Sequence, residues 1–293
     1  MPSLLGRHMP LESSPLSAFR TARQMGCDAI QLFVGNPRGW SPPVDIPSDT
    51  TLFIQGLREQ SFQQVVIHAA YLINLASATE ATRQKSATLL RWTLERGHVI
   101  GASSVVMHTG SHGGDGLATG TQRLIEGLIP VLTDLRGDVR LLLENDVGAG
   151  NTIGSQFSAL AEVLAALDED FGDRLGVCID TAHLWGAGYD IGTPAAATAV
   201  LDTIDATIGL SRVKVIHLND TAVSLGSHRD LHARLGEGII GQEGLATLLQ
   251  DERLQEATVL LETPIMKDTA GKLDWVDDQQ RIAYARELAG LMK

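Results

Sequence analysis

Only two cysteines, Cys27 and Cys178, occur in the 293 residues. That is too few for a disulfide framework or a cysteine-rich metal knot. Cys178 lies inside an apolar run and reads as a small buried hydrophobe. No apolar stretch approaches the roughly 18 uninterrupted residues of a membrane span. The start, MPSLLGRHMP, lacks the basic segment and apolar core of a signal peptide. The reducing cytoplasm is therefore the expected compartment, with no membrane partner. There is no low-complexity tract, no basic tail, no Walker-type phosphate loop and no G-x-S-x-G nucleophile elbow. Positive charge is scarce as well: 23 Lys and Arg against 35 Asp and Glu give a formal charge of −12. On its face this argues against a nucleic-acid partner. The argument weakens if carboxylates hold divalent ions, because three such ions would restore about +6 at the mouth of one site.

What the chain does have is a recurring strand ending. Six short hydrophobic runs each stop at a histidine or an acid: VVIH at His68, VVMH at His108, LLLE at Glu144, VCID at Asp180, VKVIH at His217 and VLLE at Glu262. With two earlier runs they make eight β-like segments, near Ser3–Met9, Ala29–Val34, Gln64–Ala70, Ser104–Thr109, Val139–Asn145, Leu175–Thr181, Val213–Asn219 and Thr258–Thr263. Most are continuous Val/Ile/Leu runs, the pattern of parallel strands covered on both faces. Helical periodicity lies between them, for example over Leu16–Met25, Glu80–Val99, Thr121–Leu135, Phe157–Leu167 and Thr193–Ile208, and Asp274–Lys293 reads as a closing amphipathic helix. Ser155 and the Thr193–Pro194 pair are expected helix caps. Hydrophobic residues make up 44% and charged residues 20%, which fits a soluble domain with a sizeable core.

The expected fold is α/β: a single-domain (β/α)8 TIM barrel over residues 1–293, with an open doubly wound sheet as the alternative. The loops after the strands form the active face of such a barrel, so all six strand-end residues are expected on one rim. Gly148-Ala-Gly150-Asn-Thr-Ile-Gly154 follows a strand and superficially resembles a dinucleotide fingerprint. Its last spacing is one residue too long and it occupies the fifth strand, so it reads as a tight rim turn.

Three more candidates follow the strand ends: His183 in D-T-A-H, and Asp230 with His232 in D-x-H. Taken singly, each has a bland explanation. A strand-end histidine is commonly a satisfied structural residue, and Glu144 or Glu262 alone suits a helix cap or an ion pair. The joint pattern on six successive strands points instead to a metal site. Five histidines and four carboxylates without thiolate suit zinc, manganese or iron. Nine side chains exceed the needs of one ion. Three four-coordinate ions offer about twelve positions, of which nine side chains with one bridging carboxylate fill about ten, leaving room for water or substrate. Of the remaining histidines, His98 reads as packing or surface, His8 and His112 as supporting groups near the rim, and His228 as a loop residue or a phosphate contact.

Together these residues resemble the endonuclease IV family of apurinic/apyrimidinic (AP) endonucleases. The resemblance spans nearly the whole chain. It is carried by H-A-A-Y-L-I-N-L-A from His68, E-N-D-V-G-A-G-N-T-I-G from Glu144, C-I-D-T-A-H-L-W-G-A-G-Y-D from Cys178, H-L-N-D-T from His217 and R-D-L-H-A-R-L-G-E-G-I-I-G from Arg229. The resemblance implies a barrel with three zinc ions, manganese being an alternative at some positions. His68, His108 and Glu144 would hold one. Glu144 would bridge to a second, with Asp180, His217 and Glu262. His183, Asp230 and His232 would hold the third. The implied reaction is hydrolysis of duplex DNA immediately 5′ to an abasic site, leaving a 3′-hydroxyl and a 5′-deoxyribose phosphate, together with trimming of blocked 3′ ends. Glu262 and Glu144 are the implied catalytic carboxylates, with Glu262 also orienting hydroxide. Zinc lowers the pKa of water from ~15.7 toward ~7, so no lysine Schiff base is needed.

Tyr71, Leu72 and Arg38 match family residues that enter the duplex at the lesion; a wedge of this kind replaces lost stacking while a nucleotide flips out. The alternative for Tyr71 and Leu72 is packing under a loop. Asn36, Lys214 and Arg234 are further phosphate-contact candidates, and a monomer is expected. Three departures stand out: the first strand reads G-R-H-M-P-L-E-S-S, the metal motif has Leu231 where arginine is usual, and Ala182 replaces a frequent cysteine. Arg229 or Arg234 would have to supply the contact that Leu231 lacks. Two other functions compete. One is a metal-dependent sugar isomerase or epimerase on the same barrel type, which would need an acid or base free of metal. The other is a non-catalytic protein that only binds damaged DNA.

Overall fold

The computed structural model describes residues 4–10, 15–43 and 47–291; Ser3, residues 11–14 of the atypical first loop, Met292 and Lys293 lie outside them. Strands and helices alternate along the chain: β1 Leu4–His8, α1 Pro15–Gln24, β2 Ala29–Leu32, α2 Pro47–Gln60, β3 Gln64–His68, α3 Glu80–Ile100, β4 Ser104–His108, α4 Leu117–Thr133, β5 Arg140–Glu144, α5 Phe157–Phe171 and β6 Leu175–Asp180. There follow α6 Thr181–Ala187, α7 Pro194–Thr207, β7 Val213–His217, the short β8 Asp220–Thr221 and β9 His232–Ala233, α8 Gln242–Gln250, β10 Thr258–Leu261 and α9 Trp275–Leu288. All but β8 and β9 form a closed parallel barrel in the order β1-β10-β7-β6-β5-β4-β3-β2. β8 and β9 pair with each other, antiparallel, in the loop before α8.

Each expected strand is present, shortened by one or two residues at its end, and β5 also starts one residue later than expected. The runs are continuous because both faces are covered: the outer residues meet the helices, and the inner residues fill the barrel. The inner filling is a ring of Ala29, Val66, Val106, Leu142, Cys178, Val215 and Leu260, all buried. Burying one Val or Leu side chain is worth roughly 1.5–3 kcal/mol, so this ring is a plug that excludes any pore. β1 contributes Gly6 at this level, and a Cβ there would stand 1.8 Å from the Ala29 carbonyl oxygen. Only glycine permits β1 and β2 to approach so closely.

Of the two expected caps, one is realised. Thr193 accepts a hydrogen bond from the Ala196 amide, with Pro194 as the first residue of α7. At α5 the capping position is Gln156, without a side-chain cap bond. Ser155 lies one residue too early to reach the free amides.

Candidate metal centre

The polar residues at the barrel mouth follow from strand geometry. Side chains alternate in and out along a strand, so the residue two beyond each member of the apolar ring also points inward. Those residues are Gln31, His68, His108, Glu144, Asp180, His217 and Glu262, joined by His8 two beyond Gly6. Register places them side by side: His8 with Gln31, His108 with Glu144, and Asp180 with His217. A second, polar ring, one residue from each barrel strand, thus stands directly on the apolar one. His68, Glu144, Asp180 and His217 are buried within it.

Loops add the remaining three residues. Asp180 caps α6 by accepting from the His183 amide at 2.9 Å, which fixes His183 over the ring. Asp230 and His232 ride the loop between β8 and β9. That loop is pinned where Thr221 Oγ1 donates to the Leu231 carbonyl at 2.6 Å. Buried Asp220 holds its far end, accepting backbone hydrogen bonds from Thr221, Gly236, Gly238 and Ile240.

The nine ligand candidates come together at short range. Within 4.8 Å of one another lie ligand atoms of His68, His108 and Glu144; of Glu144, Asp180, His217 and Glu262; and of Asp180, His183 and His232. Asp230 is half exposed and touches the last group from outside, 3.0 Å from His232 Nε2 and 3.5 Å from His183 Nε2. Glu144 sits at the middle, 2.9 Å from His217 Nδ1, 3.2 Å from His108 Nε2 and 3.3 Å from His68 Nε2. Cys178 Sγ also lies within this range of Glu144 and His217. Burial pushes its thiol up to about 12, so it stays protonated and acts as part of the apolar ring.

The hydrogen bonds fix which ring nitrogens remain available. His68 Nδ1 donates to the Ala69 carbonyl and His183 Nδ1 to the Asn145 carbonyl, each at 2.8 Å. A carbonyl only accepts, so Nε2 is the free nitrogen in both rings. Those lone pairs face carboxylates that also only accept. His232 Nε2 is buried without a hydrogen-bond partner, the Asp230 oxygen being close but misaligned. Acceptors facing acceptors at about 3 Å need a cation between them, either protons or metal.

Without metal, protons take that place. Burial opposes charge on every one of these groups. Nevertheless Glu144 raises His108, Asp180 and Asp230 raise His183 well above its ordinary value, and Asp180 and Asp230 raise His232 to about 9. His217 is likewise raised well above 6.5 against its burial, by the Glu262 and Glu144 carboxylates. The carboxylates move the other way. Against burial, His217 and His108 hold Glu144 well below the carboxylate range, and His217 does the same for Glu262. Among the described residues, every ion pair made by these carboxylates is to histidine. This donor set fits divalent ions.

The other expected contacts divide sharply. Tyr71 is 52% exposed at the mouth, with its ring against Phe33, His68 and His108. Partial enclosure beside Glu262 and Glu144 pushes its phenol up to about 12, so it stays neutral. Leu72 is half buried next to it and Arg38 is exposed, in a turn where the Arg38 amide donates to Asn36 Oδ1. Tyr71, His8, Phe33, His232 and Glu262 line a cavity of about 420 Å³ at the mouth. Lys214 does not belong to this face. It is the second residue of β7, near the opposite end of the barrel, 3.5 Å from Glu256. Arg234 is held by Asp277 and Glu237, while Arg229 stays exposed beside the exposed Leu231. His112 shapes its own loop by accepting from the Gly114 and Gly116 amides. His228 is anchored to the Val147 carbonyl, and His98 is an exposed helix residue.

Several supporting residues carried no assignment in the sequence. Asn145 and Asn219 follow strand ends and stitch neighbouring strands: the Asp180 amide donates to Asn145 Oδ1 at 2.7 Å, and the Glu262 amide to Asn219 Oδ1 at 3.0 Å. Asn219 Nδ2 also donates to Asp180 Oδ2 at 2.6 Å. The atypical Arg7 has a partner of its own. It points outward from β1, is buried, pairs with Asp278 of α9 and donates to the Thr263 carbonyl at 3.0 Å. This ties the closing helix to the segment carrying Glu262.

Comparison with known proteins places this geometry. A family model described as a xylose isomerase-like TIM barrel matches residues 19–288. The probable endonuclease 4 of Natranaerobius thermophilus is 40% identical over 261 residues, covering 89% of this chain and 91% of that protein. Among solved structures, endonuclease IV from Thermus thermophilus superposes with a TM-score of 0.83 at 33% identity, covering 99% of this chain and 100% of that one. A D-tagatose 3-epimerase-like protein superposes with a TM-score of 0.72 at 20% identity, covering 98% of each chain, and shares the fold alone.

Proposed function

The chain belongs to the endonuclease IV family, and we propose that it is a zinc-dependent hydrolase that cuts the DNA phosphodiester bond 5′ to an abasic site. The products are a 3′-hydroxyl and a 5′-deoxyribose phosphate, and the same site trims blocked 3′ ends. The observation that carries this reading is the gathering of imidazoles and carboxylates into three groups that share Glu144 and Asp180. We assign His68, His108 and Glu144 to one ion, Glu144, Asp180, His217 and Glu262 to a second, and His183, Asp230 and His232 to the third, with Asp180 beside it. Zinc suits these nitrogen and oxygen donors, with manganese the alternative. When bound, such ions act as Lewis acids that lower the pKa of water toward ~7 and neutralise phosphate charge.

The chain's own residues supply the rest. Glu262 stays ionised through neutral pH, so it accepts a hydrogen bond and orients the attacking water, while Glu144 holds two groups of imidazoles at a fixed spacing. Tyr71, uncharged and half exposed, is placed to fill the stack where a base is missing, with Leu72 beside it. Arg38 offers a cation to the phosphate backbone. A sugar isomerase needs an acid or base free of metal, and here every strand-end acid is surrounded by imidazoles. We take the chain to act as a monomer on duplex DNA.

The test is nicking of a duplex oligonucleotide with one tetrahydrofuran abasic analogue, with and without prior chelation. That analogue cannot undergo β-elimination, so a cut 5′ to it reports hydrolysis. The expected result is a chelator-sensitive nick that leaves an extendable 3′-hydroxyl. No nick by zinc-loaded protein would overturn the reading and favour the sugar isomerase.

A further inference from the structure

The polar ring contains one residue that is neither acid nor imidazole. Gln31 is fully buried and stands in register with His8. Its carboxamide touches three ring members, and chemistry fixes which way it faces. The Glu262 carboxylate only accepts, so Gln31 Nε2 must be the atom 2.6 Å from Glu262 Oε1. The second N–H of that nitrogen meets His8 Nδ1 at 3.0 Å. Gln31 Oε1 then faces His217 Nε2 at 3.0 Å. An amide oxygen only accepts, so Nε2 of His217 carries a proton, and in the neutral ring Nδ1 keeps its lone pair. That lone pair points between Glu144 Oε1 at 2.9 Å and Glu262 Oε2 at 3.2 Å.

We propose that Gln31 is the positioning residue of this centre: one buried carboxamide sets the tautomers of His217 and His8 and holds the Glu262 carboxylate against them. The inference rests on the metal centre proposed above and is independent of its substrate. An apolar side chain at this place would leave the buried His217 N–H without an acceptor and take the amide donor away from Glu262. Outer partners of metal ligands typically govern affinity by about 10–100-fold.

Two variants separate the roles. Gln31→Met removes all three hydrogen bonds. Gln31→Glu is near-isosteric, keeps an acceptor for His217 Nε2 and sets a second carboxylate against Glu262. Zinc affinity would be measured by competition with a chromophoric chelator. Ring-nitrogen protonation would be read from long-range nitrogen–proton correlation spectra of histidine-labelled, zinc-loaded protein, with thermal melting to verify folding. In Gln31→Met we expect affinity to fall about 10–100-fold and His217 to lose its single tautomer. In Gln31→Glu we expect affinity to fall comparably while the His217 pattern persists, and kcat on the abasic duplex to drop more than KM changes. Wild-type zinc affinity and a wild-type His217 pattern in Gln31→Met would overturn the proposal; should that variant not fold, wild-type affinity and kcat in Gln31→Glu would do so. The two readings fail separately. A wild-type protein that never nicks the abasic duplex removes the function, whereas the affinity and nitrogen spectra judge Gln31 on their own.

Discussion

The two ends of the barrel are built from the same strands, yet they treat charge in opposite ways. At the strand starts, Arg140, Arg174, Arg212 and Lys214 line a groove of about 590 Å³ together with Asp168 and Asp173. The charges there meet partners within the protein: Arg212 pairs with Asp168 at 2.6 Å, Lys214 with Glu256 at 3.5 Å, and Arg174 donates to the Leu135 carbonyl. At the strand ends, among the described residues, the only ion-pair partners of the carboxylates are imidazoles, and the cavity is smaller, about 420 Å³. Cavity size therefore does not identify the working end. Unmet charge does: the lower end sets arginine and lysine side by side with carboxylates, whereas the upper end gathers carboxylates and imidazoles that fit added cations.

Glu144→Gln should break this contrast most severely. Glu144 contacts His68, His108 and His217, so its neutralisation removes the shared acceptor of two groups. We expect zinc content to fall by more than one ion per chain and nicking to drop beyond the about 10–100-fold that outer partners command. Elemental analysis after gel filtration, with the nicking assay, checks both. Glu262→Gln should be narrower. The side chain is partly exposed and keeps its shape, so folding should persist while most turnover is lost. Wild-type turnover in that variant would remove Glu262 from the mechanism.

pH provides a third way to probe the contrast. In metal-free protein His232 titrates near 9, above its ordinary 6.5, and His183 and His217 shift the same way. A histidine raised on folding contributes stability that is complete below pH 6.5 and is lost as pH climbs through the folded value. The chelated protein should therefore show a Tm that declines between pH 6.5 and about 9. With zinc in place of those protons, the decline should vanish. A chelated Tm that stays level over this window would mean that protons do not bridge the carboxylates.

Tyr71→Ala tests the surface above the metal groups rather than the groups themselves. A ring that replaces a missing base is worth about 1–3 kcal/mol per stacked base. We expect binding to abasic duplex, measured by fluorescence anisotropy, to weaken by that amount with zinc content unchanged. Loss of zinc in equal measure would make Tyr71 a structural neighbour of His68 and His108.

How far the sequence led follows from where its signal lies. The eight strands were legible because strands buried on both faces are unbroken apolar runs. Six of the polar ring were legible because those runs end on them. His8 and Gln31 complete the ring without that signal. Gln31 is followed by Leu32, Phe33 and Val34, so its run does not stop there. The available clue was period two: Gln31 stands two beyond Ala29 and His8 two beyond Gly6, as His68 stands two beyond Val66. Arg7 read as a departure because its partner, Asp278, is 271 residues away in the chain. α2 carries Gly56 and a weak polar–apolar alternation, and its reason to be helical is packing against α1, which no local pattern contains.

The smallest effect is expected at the lower end, and it sharpens the contrast by being absent. Lys214 looked in the sequence like a phosphate contact three residues before His217. In the barrel it is near the far end of β7 and faces Glu256. Lys214→Ala should leave nicking and its salt dependence unchanged. Leu231 is the matched control, 48% exposed between the ligand candidates Asp230 and His232. Leu231→Arg adds a cation on the rim, and each phosphate that the new guanidinium neutralises should steepen the log–log salt slope of DNA binding by about 1. If the lysine variant flattened that slope and the arginine variant did not change it, DNA would be meeting the opposite end of the barrel. The unmet charge at the strand ends would then have to serve a smaller substrate.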